Sequence, residues 1–264
     1  MFKRTKRLQE LFEKYSITDL VHGAKEDKMG DVIEDYCVSI LNSTEILSKY
    51  KANRINKDDT DEFIFFYMMS KIPIDSSNII KIFATRDIKH RFTGGNPKTD
   101  IIIEVHCVDT KVITVPISIK SSTVSKVAMA EFDVDTIVRE VGIGEVELKN
   151  LLLKHQIDAS AKNFTKAEKE KLYKLLTPYA RKFVRWVLAG SPVESEDLRF
   201  PVLMIKFALT KTDEIKDIKI YSIEEYVDSV MLDKNCNIKK GGFGTGLSWT
   251  YATGSKGKKI QFKG

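Results

Sequence analysis

Two pairs of strand-like runs, each joined by only a few residues, constrain this chain more than any other feature. Residues 100–108 and 111–120 flank a turn at Asp109 and Thr110, and residues 200–210 and 215–221 repeat the arrangement further on. Apolar residues alternating with period two mark a strand with one buried face, and so short a connection makes the paired strands antiparallel. Around these hairpins the apolar spacing is helical. An amphipathic pattern runs from Thr5 to Tyr15, a second helix is expected over about 28–50 through Val32, Ile33, Tyr36, Ile40 and Leu41, and a short one over 61–69. A strand is expected at Ile79–Thr85, after turn residues at Pro73 and 75–78. Thr165 and Glu168 have the spacing of a capping box, opening a helix that ends before Pro178; another helix carries Phe183, Trp186 and Val187, and one more spans 223–232. The elements predict an α/β fold, with a central mixed sheet containing antiparallel hairpins and flanked by helices.

The 264 residues, 42% of them apolar, suffice for one sizeable core with a terminal appendage, so 1–264 is expected to be a single domain. The longest apolar run, 63–69, falls far short of the ~20 residues of a membrane helix, and the first seven residues lead into nothing resembling a signal peptide. A soluble, cytoplasmic protein with no membrane partner is expected. Cys37, Cys107 and Cys236 are lone thiols at wide spacing, which fits a reducing compartment and neither a disulfide framework nor a zinc pair. His22, His90, His106 and His155 have no second His or Cys at metal-ligand spacing and read as surface or packing residues.

The formal net charge is +6, and its placement says more than its sum. Residues 234–264 hold seven lysines (Lys234, Lys239, Lys240, Lys256, Lys258, Lys259, Lys263) and no acid, so the rest of the chain carries about −1. The same segment interleaves Phe243, Trp249, Tyr251 and Phe262 with glycines and hydroxyl or amide donors, a composition suited to a polyanion. Nucleic acid is the leading partner. The alternative is a solvated basic tail, against which Trp249 and Tyr251 weigh, because disordered tails are poor in large aromatics. Lys3, Arg4, Lys6 and Arg7 read as a solvated helix face. The glycines of 242–246 lack the spacing of a nucleotide fingerprint and read as tight turns.

In the run 111–120, period two places Thr114, Pro116, Ser118 and Lys120 on one face. A turn centred on Thr110 sets Asp100 directly opposite Lys120, so a carboxylate and an ammonium meet at one end of the hairpin. Such a pair can be an ordinary cross-strand ion pair. The neighbouring glycine-containing loop 92–99 and the Ile119 carbonyl at the same strand end favour a second reading. Asp100, the Ile119 carbonyl and water make an incomplete Mg²⁺ shell, which substrate phosphate would complete, and Lys120 could orient the attacking water. Lys98, Ser121 and Ser122 lie where they could touch a phosphate backbone, although the serines also suit a turn.

Thr99-Asp100, followed after seventeen residues by Ser118-Ile119-Lys120, resembles the signature of the PD-(D/E)xK nuclease superfamily, and Gly30-Asp-Val-Ile-Glu34 resembles its extra acidic position. Segments 94–100, 130–135, 154–162, 242–251 and 258–264 extend the resemblance to the type II restriction endonucleases within it. The resemblance implies a restriction-endonuclease-like fold and a monomer or weak dimer. The implied activity is cutting double-stranded DNA with Mg²⁺ at CCGG after the first C, leaving 5′-phosphate ends, with a companion DNA methyltransferase in the same cell. It implies that Asp100 and Glu34 hold metal together with Ile119, that Lys120 is the catalytic lysine, and that Ser118 stands where the superfamily has an acid or Asn. A hydroxyl there can hold a water but adds no charge. The same resemblance places base-reading residues at Thr250, Thr253, Gln261 and Lys263, within a recognition segment over 234–264; Ser255, Lys256, Lys258, Lys259 and Lys126 are expected as further DNA contacts. Thr253 stands where Ser is expected, and Ala128 replaces a hydroxyl residue. From a different class, the alternative is a sequence-specific DNA-binding protein without catalysis; a third reading is RNA binding through the tail.

Overall fold

The computed structural model of the chain describes residues 2, 4–20, 22–88, 97–232 and 242–264. His90, Lys3, Cys236, Lys234, Lys239, Lys240 and residues 92–96 of the glycine-containing loop lie outside them. In chain order the elements are α1 (Lys6–Lys14), α2 (His22–Leu41), α3 (Thr44–Lys51), α4 (Thr60–Met69), β1 (Ile79–Thr85), β2 (Ile101–Cys107), β3 (Val112–Ser122) and β4 (Ala128–Phe132). There follow α5 (Val134–Val141), α6 (Val146–Asp158), α7 (Lys166–Leu176), α8 (Ala180–Ala189), β5 (Leu203–Leu209), β6 (Ile215–Ser222), α9 (Ile223–Met231), β7 (Ser248–Thr250) and β8 (Ile260–Lys263). The expected α/β class holds. Among the described residues no helix is long and apolar enough to cross a membrane.

The chain forms two units, Met1–Ser125 with Asp197–Ser222, and Lys126–Glu196 with Ile223–Gly264. In the first, the strands run in the order β1-β2-β3-β5-β6, antiparallel except for the parallel pair β3 and β5. Parallel neighbours need a long crossover, and here it runs through residues 123–202. Against this sheet pack Val32, Ile33, Tyr36, Cys37 and Ile40 of α2, with Ile64, Phe65, Met68 and Met69 of α4. The apolar run 63–69 is therefore a core helix, capped by the Asp59 side chain on the Glu62 N–H.

Two expectations need correction. The single helix over 28–50 is two helices, α2 and α3, because Asn42 turns its amide onto β1, accepting from the Ala84 N–H at 2.8 Å and donating to its C=O at 2.9 Å. Ser43 then caps α3 through the Ile46 N–H. The β2–β3 register also differs: Ile101 lies opposite Ile117, which centres the turn on Asp109 and sets Asp100 opposite Ser118 rather than Lys120. Thr110, at φ 65°, takes the left-handed position that closes a three-residue hairpin loop. The two-residue slip leaves all three side chains on one face.

In the second unit α7 has the expected capping box, with the Thr165 hydroxyl on the Glu168 N–H and the Glu168 carboxylate on the Thr165 N–H. The C-terminal segment is built into this unit as β7 and β8, in the antiparallel order β4-β8-β7. Its aromatics face inward, contrary to a role in coating a polyanion. Trp249 packs edge-on against Phe262, Phe243 and His155 at centroid distances of 5.4, 5.3 and 5.2 Å, and its indole N–H donates to the buried Thr245 hydroxyl. His155 is thus a packing residue, and burial pushes its pKa down to about 4.

Candidate functional site

The first cluster forms where β2 begins and β3 runs past it. The Asp100 N–H donates to the Ile117 C=O at 2.8 Å, which holds the Asp100 backbone in the hairpin. One carboxylate oxygen, Oδ2, then accepts three hydrogen bonds: from the Ile119 N–H at 2.6 Å, the Ser118 hydroxyl at 2.9 Å and the Lys120 ammonium at 3.0 Å. Ser118 is fully buried, and its hydroxyl finds in Asp100 the partner that burial demands. The Lys120 ammonium also donates to the Ile119 C=O at 2.9 Å. It therefore sits on the two oxygens named from sequence as metal ligands.

Glu34 of α2 joins the same electrostatic environment. Burial first, and then the nearby Asp100 charge, raise its pKa to about 7. Arg86, just after β1, pairs with Glu34 at 2.6 Å and also with Asp31 and Asp35, at 2.7 and 2.9 Å. Nothing in the sequence flagged this arginine, since its partners lie about 50 residues away; the acid spacing 31, 34, 35 on one helix was the available signal. Lys98 has its pKa lowered to about 8 by burial and by the neighbouring Lys120 charge.

These donors suit a hard divalent cation. The Asp100 carboxylate and the Ile119 carbonyl already converge on one cationic nitrogen, and Glu34 adds a carboxylate whose ionisation the site's own cations do not fully support. Among the described residues no group of three His, Cys, Asp or Glu side chains could hold a metal alone. A cation here would rely on a peptide carbonyl, water and substrate for the rest of its shell.

The second cluster is the polar face of β4-β8-β7. Phe262 and Ile260 of β8 are buried in the core, so period two turns Gln261 and Lys263 to the other face, where they are half-buried. Gln261 lies opposite Thr250 on one side and Glu131 on the other. The Thr250 hydroxyl donates to the Gln261 side-chain oxygen at 3.1 Å, and the Gln261 amide donates to Glu131 at 2.8 Å. Lys263 lies beside Ser248 and Ala128. Between β7 and β8 the chain turns through Gly254 and Gly257, both with φ in the left-handed region, at 90° and 79°. The turn exposes Thr253, Lys256, Lys258 and Lys259 and leaves Ser255 half-buried, its hydroxyl on Glu131 at 3.0 Å.

The remaining candidates are dispersed. The Lys126 ammonium donates to the Gly246 C=O at 3.0 Å, Ser121 is half-buried near the end of β3, and the Ser122 hydroxyl accepts the Val124 N–H as a turn residue does. Glu131 escaped sequence reasoning as a functional residue although it lies inside the resembling segment 130–135; its partners are over 120 residues away.

The family model for restriction endonuclease MspI matches residues 8–264. The type II restriction enzyme MspI of Moraxella sp is 38% identical over 266 residues, covering 99% of this chain and all of that enzyme. The type II restriction enzyme BsuFI of Bacillus subtilis is 28% identical, over 97% of this chain and 63% of its own length. Among solved structures, restriction endonuclease MspI in complex with its cognate DNA superposes with a TM-score of 0.87 at 37% identity, covering 99% of this chain and all of that one.

Proposed function

Because the chain belongs to the restriction endonuclease MspI family, we propose that it hydrolyses phosphodiester bonds of double-stranded DNA with Mg²⁺, at CCGG after the first C, leaving 5′-phosphate ends. Family membership sets aside the non-catalytic DNA-binding reading. The observation that carries the mechanism is the convergence of Ser118, Ile119 and Lys120 on one oxygen of Asp100.

Asp100, Glu34 and the Ile119 carbonyl would hold the cation. Bound Mg²⁺ supplies Lewis acidity toward the scissile phosphate and the attacking water. The Ser118 hydroxyl and the Ile119 N–H hold the Asp100 carboxylate in one orientation, so its ligand oxygen is positioned before substrate arrives. Lys120 contributes a cation within reach of the phosphate and orients the nucleophilic water. Arg86 fixes the Glu34 carboxylate from the side of β1. Lys98, with its lowered pKa, Ser121 and Ser122 face the DNA backbone in this reading.

The polar face of β4-β8-β7 and its turn read the sequence. Lys263 can donate to guanine O6 and N7, and Thr250, Thr253 and Gln261 supply shorter hydrogen bonds in the major groove. Lys126, Ser255, Lys256, Lys258 and Lys259 take the phosphates. Residues 1–264 thus act as one nuclease, with the C-terminal segment as its recognition element; a companion methyltransferase would protect host DNA in the same cytoplasm, and the enzyme works as a monomer or weak dimer. The test is a mixed-sequence plasmid incubated with protein and Mg²⁺. Discrete fragments that vanish with chelator, and with Asp100→Ala, are the expected result; an intact plasmid in Mg²⁺ overturns the reading.

A further inference from the structure

We propose that Glu131 is a positioning residue for base recognition, setting which end of the Gln261 amide faces a base as donor and which as acceptor. The inference rests on the reading of Gln261 as a base contact. A glutamine amide is nearly symmetric in shape and opposite in function at its two ends, so its value as a reader depends on what fixes its orientation. Thr250 cannot fix it. A hydroxyl donates or accepts, and would satisfy the amide either way round.

Glu131 can. An ionised carboxylate only accepts, so at 2.8 Å it requires the amide nitrogen of Gln261 and repels the oxygen. Its second oxygen accepts from the Ser255 hydroxyl at 3.0 Å, which ties the carboxylate to the turn between β7 and β8. With one N–H committed to Glu131 and one lone pair of the oxygen committed to Thr250, Gln261 keeps one N–H and one lone pair to offer. That remaining pair can serve one acceptor and one donor on the base edges, which guanine O6 and the cytosine N4 amine supply at the proposed site. In the flipped orientation the two would be exchanged, and Glu131 would face an acceptor. The sheet supplies the geometry, because Glu131, Gln261 and Thr250 occupy directly paired positions on adjacent strands.

Glu131→Gln preserves shape and removes the acceptor-only constraint, since a second amide complements Gln261 in either orientation. The measurement is kcat/KM on a duplex carrying the cleavage site, divided by kcat/KM on duplexes with one base pair changed, for wild type, Glu131→Gln, Gln261→Ala and the double variant. Gln261→Ala is expected to lower this ratio by roughly 10-fold or more, Glu131→Gln to lower it by a large part of that factor, and the double variant to match Gln261→Ala. If Gln261→Ala lowers the ratio and Glu131→Gln does not, the positioning role is wrong while base reading stands. If Gln261→Ala leaves the ratio unchanged, the base contact itself is wrong and the inference falls with it. Were Glu131→Gln not to fold, Ser255→Ala releases one carboxylate oxygen and lowers the ratio by a smaller factor; an unchanged ratio overturns the proposal.

Discussion

The two clusters solve opposite problems with the same strand geometry. At Asp100 three donors converge on a single oxygen beside a second, half-buried carboxylate, so the site is dense in charge and each group depends on the others. On the β4-β8-β7 face, Thr250, Gln261 and Glu131 are linked in a row, each spending part of its hydrogen-bonding capacity internally and keeping part free. A convergent cluster fails as a whole when one member is lost; a linear one degrades by steps. The first is suited to chemistry and the second to graded discrimination.

The sharpest way to break this contrast is to remove charge from the convergent cluster. Asp100→Asn keeps the shape and is expected to reduce the cleavage rate at least ~100-fold while DNA binding in a gel-shift assay persists; a loss under tenfold would mean the convergence is only structural. Next in size is a pH effect that originates in the second unit. His155 stays neutral in the fold, with its pKa lowered from 6.5 to about 4, while the unfolded chain takes up the proton near 6.5. Stability from this group is therefore complete above pH 6.5 and falls by about 3 kcal/mol by pH 4. Denaturant melts of wild type and His155→Gln across that window measure it, and the variant should show a flatter dependence; parallel curves would contradict the sign.

Smaller still is the effect of one recognition contact. Lys263→Ala should weaken cognate binding by about 1–3 kcal/mol and random duplex by less; equal losses in titrations on both would assign Lys263 to the phosphate backbone. The smallest concerns Thr99, whose buried hydroxyl has no hydrogen-bond partner. Thr99→Val is expected to leave the melting temperature unchanged or slightly higher, and a drop of several degrees would show that the hydroxyl is satisfied in solution.

Local rules carried much of this fold. Period two and a short turn placed β2 and β3, and the Thr165–Glu168 spacing placed the start of α7. What escaped was set by partners distant in sequence. Asn42 interrupts a helical pattern because Ala84, 42 residues on, offers a peptide group to its amide. Arg86 and Glu131 carry no motif of their own, and their meaning comes from the carboxylates or amide that folding brings to them. Asp100 and Lys120 were legible because their common face survives a register error of two, whereas the inward turn of Trp249 and Phe262 depends on α6 and α8, which composition alone does not place.

Sequencing the ends of fragments released from mixed-sequence DNA in Mg²⁺ tests the central claim most directly. The account predicts 5′-phosphate ends that begin at the second base of CCGG throughout, and none above background from Asp100→Asn. Ends scattered over unrelated sequences, or an undiminished yield from the variant, would contradict it.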